Sequence, residues 1–276
     1  MLLLGRYAHS TPKAVMTKYS DTFYAKQSAP SRKSAELVLP YLLALMGRPG
    51  NVIDLGCGVG SWLSFFYAAG SDVHGVDGAY VSRSSLMIPE KCFLPFDLAA
   101  GDYSGIQGKY DLALSLEVAE HLPEAMAGAF VEKLCSLSDT VLFSADIPHQ
   151  KGTNHVNCQW QGYWHKLFAA NGYVGVDSLR KRIWFLDGVK HHYKQNMILY
   201  VKEGTELYLK LYKDAEFIPD VVHPYVYLRS QEDAEYNKSK RFHVRLKKIL
   251  YACRAVLGFA TPQQTAPVKS LAGKER

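Results

Sequence analysis

The residues best placed for chemistry are a glycine triplet and the acids that follow it at regular intervals. Asp54, Gly56, Gly58 and Gly60 alternate within Val52-Ile53-Asp54-Leu55-Gly56-Cys57-Gly58-Val59-Gly60-Ser61-Trp62-Leu63. Glycine at these places removes Cβ atoms that would hold a ligand off the backbone, and it accepts positive φ without strain. Free N–H groups near Ser61 and Trp62, where a helix is predicted to begin, would face a carboxylate or phosphate. Asp77 closes a second apolar run about 20 residues past the loop, the position from which an acid accepts hydrogen bonds from both hydroxyls of a ribose. Asp97 stands at the exit of a third run. The pattern acid-x-G-x-G-x-G fits without a mismatch, whereas the dinucleotide fingerprint G-x-G-x-x-G meets Ser61 where it wants glycine or alanine. An ordinary tight turn without a ligand is the plain alternative.

Proton chemistry near neutral pH points to histidine. His155 is the first candidate for a general base, His121 the second and His149 a distant third. Their plainer readings are that His121 orients the loop beside the ligand and that His155 bonds a neighbouring carbonyl. No metal-ligand set stands out. The five cysteines (57, 92, 135, 158 and 253) are scattered without a C-x-x-C pair, which argues against a disulfide framework and a zinc knuckle. His191 and His192 are adjacent, so their rings point apart and make a poor metal pair; they read as surface or pocket-rim residues.

These residues need elements to position them. Strand-like runs end at Leu55, Gly78, Leu98, Glu117 and Ala145, and helical patterns follow the first at 61–69 and the fourth at 124–136. Alternation of this kind implies a doubly wound α/β fold with a mostly parallel sheet, and ligands gather at the carboxyl ends of its strands. A polar, turn-rich loop at 146–160 leaves the same end. A helix at 162–170, a strand at 173–176, an extra loop at 184–194 and an antiparallel strand at 196–201 would complete the sheet. Ahead of the core, 34–39 and 41–46 suggest helix interrupted or restarted at Pro40, with Tyr19, Phe23 and Tyr24 clustered before it.

The chain has 276 residues and 48% hydrophobic content, enough for one full core plus extensions. No run of about 18 or more uncharged apolar residues occurs, and the opening is too short for a signal sequence, so a cytoplasmic location is expected. From Asn237 onward there are ten Lys and Arg against one acid, while the preceding 236 residues carry 22 basic and 25 acidic groups. The body is therefore mildly acidic, and nucleic acid is not an expected partner. Residues 240–258 read as a basic amphipathic helix with Phe242, Leu246, Ile249, Leu250, Cys253, Val256 and Leu257 on one face. Two readings stay open for it: docking on the body or a second subunit, and peripheral attachment to the inner face of a membrane. Beyond Pro262 the composition predicts disorder.

The glycine pattern resembles the first motif of class I S-adenosylmethionine-dependent methyltransferases. Glu117-Val118-Ala119-Glu120-His121-Leu122 resembles the E-V-x-E-H-x of small-molecule methyltransferases related to the ubiquinone-biosynthesis O-methyltransferases. Gly152 to Trp160 is similar to the G-x-x-H-V-N-x-Q-W segment of bacterial members of that broad group, several of which have sugar-like or uncharacterised substrates. The resemblance covers roughly residues 20–202 at the level of pattern. It implies a Rossmann-like, seven-stranded fold and a division into a helical lead-in (1–46), a cofactor-binding domain (47–203) and an extension (204–276). It further implies S-adenosylmethionine as cofactor, contacted by Asp54, Gly56, Cys57, Gly58, Gly60, Asp77, Gly78, Asp97, Leu98, Leu116 and Glu117, with Asp97 near the adenine amino group. Ser115 to Val118 lack the Asn/Asp-Pro-Pro-Tyr sequence of enzymes that methylate base amino groups. The expected activity is methylation of a hydroxyl on a small molecule or glycan intermediate. A nicotinamide oxidoreductase and a non-catalytic S-adenosylmethionine-binding subunit are the rivals, the former opposed by Ser61 and by the 117–121 motif.

Overall fold

The computed structural model of the chain describes residues 21–150, 152–212 and 220–256. Tyr19, Leu257 and the sequence past Pro262 lie outside the described residues, as do the side chains of Phe23, Tyr24, Ile249, Leu250, Cys253 and Val256. Helix α1 spans Asp21–Met46 and carries both Pro30 and Pro40 inside it, so the predicted break at Pro40 does not occur. Pro40 and Glu36 are both exposed, and the Glu36 carbonyl that loses its donor is left on the side open to water. On the opposite side Ala35, Val38, Leu39, Leu42 and Leu45 recur at helical spacing and are buried.

The sheet is built from β1 (Asn51–Leu55), β2 (Asp72–Asp77), β3 (Phe93–Pro95), β4 (Leu112–Leu116), β5 (Thr140–Ser144), β6 (Tyr173–Val176) and β7 (Ile198–Lys202). Its strand order is β3-β2-β1-β4-β5-β7-β6. The first five strands are parallel, and β7 runs antiparallel to both β5 and β6. The order reverses between β1 and β4, where Ile53 is in register with His74 on one side and Ala113 on the other. A crevice opens beyond the strand ends at such a reversal.

Buried strands of a parallel sheet are apolar on both faces, and these are. Val52, Val73, Leu112, Leu114 and Leu199 pack in one layer with Leu42 of α1 and Phe66 of α2 (Leu63–Ala68). Ile53, Val76, Ala113, Val141, Phe143 and Tyr200 pack in the other with Phe130 and Leu134 of α3 (Ala127–Leu137) and Trp164 and Phe168 of α4 (Gln161–Ala170). Phe168 and Tyr200 stack with ring centroids 3.8 Å apart. The lead-in helix therefore belongs to the same core as the strands.

Helices α5 (Ser178–Ile183) and α6 (His191–Asn196) connect β6 to β7. The extra loop predicted at 184–194 thus contains much of a helix. The chain continues through α7 (Glu206–Leu211) and ends its described part in α8 (Pro224–Val256). Two compact units divide between Val226 and Tyr227. Among the described residues no helix is long and apolar enough to cross a membrane.

A buried ion pair at the start of α5 orients an arginine that also reaches α6. Arg180 gives its Nη2 to Asp177 Oδ2 at 2.9 Å and its Nε to Oδ1, while its Nη1 donates to the Gln195 carbonyl at 3.1 Å. Both side chains are buried, so removing the guanidinium would strand a carboxylate away from water. Arg180→Ala is expected to destabilise the fold by about 3–5 kcal/mol, measured by urea unfolding; a loss below about 1 kcal/mol would show that water reaches Asp177.

Candidate active site

The chain leaves β1 in a turn in which Gly56, Gly58 and Gly60 all have positive φ, at 89°, 56° and 81°. A Cβ on Gly56 would lie 2.3 Å from Val118 Cγ2, so the turn after β1 passes directly against the turn after β4. The Gly56 and Cys57 N–H groups donate to the Val76 carbonyl at 2.8 and 3.2 Å. The regular helix starts at Leu63, two residues later than predicted, and Ser61 and Trp62 form part of the turn.

Asp77 closes β2 and grips the glycine turn. Its Oδ2 accepts from Gly58 N at 2.7 Å, and its Oδ1 accepts from Gly78 N at 2.7 Å and Tyr80 Oη at 2.8 Å. Asp97 follows the short β3 and caps a 3-10 turn by accepting from Ala99 N at 2.9 Å.

These loops converge on one cavity of about 450 Å³, a size suited to a small ligand. Asp54, Gly56, Cys57, Gly58, Asp77, Gly78, Asp97, Leu98, Leu116, Glu117, His121 and His155 all line it. Gly60 is the exception: it stands back from the wall, and a Cβ there would meet Ile88 at 3.1 Å. His149 is exposed and lies off the cavity. His192 of α6 is on the wall, whereas His191 packs against Tyr225 with centroids 4.8 Å apart.

The loop at 146–160 folds back so that Val156 N and Asn157 N donate to the Glu120 carbonyl at 2.9 and 3.0 Å. This return sets the two histidine candidates edge to face, 4.9 Å apart. His155 Nδ1 lies 3.2 Å from Asp146 Oδ2, and His121 Nδ1 lies 3.3 Å from the Asn154 carbonyl oxygen. A Cβ on Gly152 would fall on the His155 ring, which fixes the loop tightly around that imidazole. Burial lowers the pKa of both rings, and for His155 the neighbouring His121 lowers it further.

The fold adds residues to the wall beyond the sequence candidates. Trp62 donates from Nε1 to Tyr193 Oη at 3.3 Å, and Ser31 of α1 lies 3.2 Å from the same hydroxyl. Glu120 and Asp146 also face the cavity. Asp146 was open to discovery by the rule that found Asp77, since it follows directly on a strand. Tyr193 and Ser31 come from segments that only the folded chain brings together.

The site suits the cofactor that the glycine motif implies. Asp54 is buried, and its Oδ1 has no hydrogen-bond partner, which leaves a place for a cationic amino group. Leu98 and Leu116 offer apolar wall, and the carboxylates of Asp77 and Asp97 lie at successive strand exits as a nucleoside requires.

The family described as Methyltransferase domain matches residues 27–183. The magnesium-protoporphyrin O-methyltransferase of Synechocystis is 30% identical over 131 residues, which are 44% of this chain and 55% of that protein, so the chain spans just over half of its relative's length. The crystal structure of the Synechocystis PCC 6803 magnesium protoporphyrin IX methyltransferase ChlM with bound SAH is similar over 68% of this chain and 92% of that one, at 20% identity and a TM-score of 0.47. DesVI of Streptomyces venezuelae is similar over 70% of this chain and all of its own, at 13% identity and a TM-score of 0.48.

Burial, followed by the charge of Asp77, pushes the Asp54 carboxyl up to about 7. With the folded-state value raised, ionising Asp54 in the ligand-free chain costs stability as the pH climbs from the ordinary carboxylate range through about 7. A cationic ligand at Oδ1 would favour the ionised form, so S-adenosylmethionine is expected to bind more tightly at about pH 8 than at about pH 6, with proton release on binding. Titration calorimetry in two buffers of different ionisation enthalpy reads this directly. Affinity independent of pH would show that no cation meets Asp54.

Proposed function

We propose that the chain, which belongs to the methyltransferase domain family and takes S-adenosylmethionine as its cofactor, methylates a hydroxyl of a small molecule or glycan intermediate. Family membership removes the oxidoreductase rival. The observation that carries the proposal is His155 on the cavity wall, with Nδ1 3.2 Å from Asp146 Oδ2 and its loop tied back to Glu120.

S-adenosylmethionine, when bound, supplies a methyl group on positively charged sulfur for in-line displacement by the acceptor oxygen. Asp54 would hold its amino group, the backbone from Gly56 to Gly58 its amino-acid end, Asp77 its ribose and Asp97 its adenine, with Cys57, Gly78, Leu98, Leu116 and Glu117 as the remaining contacts. Asp77 already accepts three hydrogen bonds within the protein, so the same carboxylate both fixes the glycine turn and offers its remaining lone pair to the ribose.

A hydroxyl must lose its proton as it attacks. His155 is neutral at physiological pH because burial and His121 lower its pKa, and a neutral imidazole can accept that proton. His121, beside it, is the alternative acceptor. Supporting a neutral acceptor, the described residues that line the cavity include neither Lys nor Arg, so a carboxylate or phosphate acceptor would find no cationic partner among them. His155→Ala is expected to slow methyl transfer about 100-fold to 10,000-fold while leaving cofactor affinity within about threefold. Turnover with a panel of hydroxylated acceptors, alongside titration with S-adenosylmethionine, checks both halves. Full turnover in the variant would place the base elsewhere.

We propose also that α8 attaches to anionic membrane surfaces. Lys238, Lys240, Arg241, Arg245 and Lys248 are exposed along it, interleaved with exposed Phe242, Val244 and Leu246, and no acid occurs between Asn237 and Val256. Apolar insertion together with lipid attraction gives binding that weakens with salt. The full chain is expected to sediment with anionic vesicles and not with neutral ones, whereas a chain ending near Gln231 should sediment with neither. Equal partitioning of the two chains would rule the attachment out.

A further inference from the structure

We propose that Glu117, Glu120 and Asp146 form a binding site for a hard divalent cation of the magnesium or manganese class. The three come from two strand exits, β4 and β5, and an oxygen of each lies within 4.8 Å of the other two. Glu120 is 1% exposed, and its Oε2 has no hydrogen-bond partner although the residue faces the cavity. A buried carboxylate oxygen in that state lacks a donor or a cation. The described residues of the wall supply no Lys or Arg to provide one.

The surroundings favour a cation further. Asn196 Nδ2 reaches Glu117 Oε1 at 3.4 Å and Asp146 Oδ1 at 3.2 Å, one amide shared between two acids. The Glu117 N–H is fixed on the Ser144 carbonyl at 2.9 Å, and the Glu120 carbonyl is fixed by the N–H groups of Val156 and Asn157. The carriers of the carboxylates are thus held before anything binds, which is what a cation site requires of its supporting shell. An all-oxygen set suits magnesium, manganese or calcium better than zinc. A second grouping, Glu120 with His121 and His155, lies equally close and would suit a softer ion.

The role of the cation rests on the reading of a hydroxyl acceptor, because a cation beside His155 would ease loss of the acceptor's proton. The binding itself does not rest on that reading and is tested without turnover. The full chain is titrated with manganese chloride, following the free-ion resonance signal by electron paramagnetic resonance, with calorimetry in parallel. One saturable site per chain is expected, weakened at least about tenfold in Glu120→Gln and Asp146→Asn. Unchanged S-adenosylmethionine affinity in Glu120→Gln certifies that the pocket is folded. Absence of saturable manganese binding, or the same affinity in Glu120→Gln, overturns the site. Zinc binding that is lost in His121→Ala and kept in Glu117→Gln overturns the choice of carboxylates in favour of the histidine grouping.

Discussion

The constraint on which the site depends is the passage of Gly56 against Val118. A Cβ at Gly56 would come within 2.3 Å of Val118 Cγ2, and the backbone there sits at a φ of 89°. Both facts demand glycine, the first by space and the second by conformation. The contact joins the turns that follow β1 and β4, the two strands on either side of the order reversal. The same turn donates Gly58 N to Asp77 at the end of β2, on the other side of β1, so a shift at either contact disturbs the other. Sheet order, turn geometry and the first acid of the site are therefore one linked arrangement.

Charge decides what the cavity can accept. Its wall combines buried carboxylates with three histidines, and burial works against charge on nearly all of them. A carboxyl kept neutral by burial ionises when a cation arrives, and a neighbouring neutral imidazole does not oppose it, so such a wall favours positive ligands. The positively charged sulfur of the cofactor is matched to that preference.

The fold was largely legible because period and punctuation agree in β1, β2, β4 and β5: each is a short apolar run closed by glycine or an acid. What misled was local chemistry overridden by packing. Pro40 should end a helix, yet α1 continues because its damaged side faces water while Leu39 and Leu42 are buried. The third strand shrinks to Phe93–Pro95, since Pro95 cannot donate to a ladder. In the site, alternation and spacing located Asp54, Asp77 and Asp97, all of which line the cavity. Gly60 answers to the turn and to Ile88 rather than to the cavity. The pairing of Asp146 with His155, and of Glu117 with Asn196, depends on loop return and on α6, and neither has a linear signature.

Tyr193 bears on how the chain reaches its folded state. Its hydroxyl meets Trp62 and Ser31, drawing one wall of the cavity from α1, the glycine turn and α6 together. The strands carrying Asp54, Asp77 and Asp97 all precede residue 145, but that wall stays open until residue 193 has left the ribosome. A nascent chain emerging from its amino end can thus pair its first five strands without being able to enclose a ligand. The cofactor can stabilise only chains synthesised past α6, so its binding acts as a late lock on folding rather than as a nucleus for it.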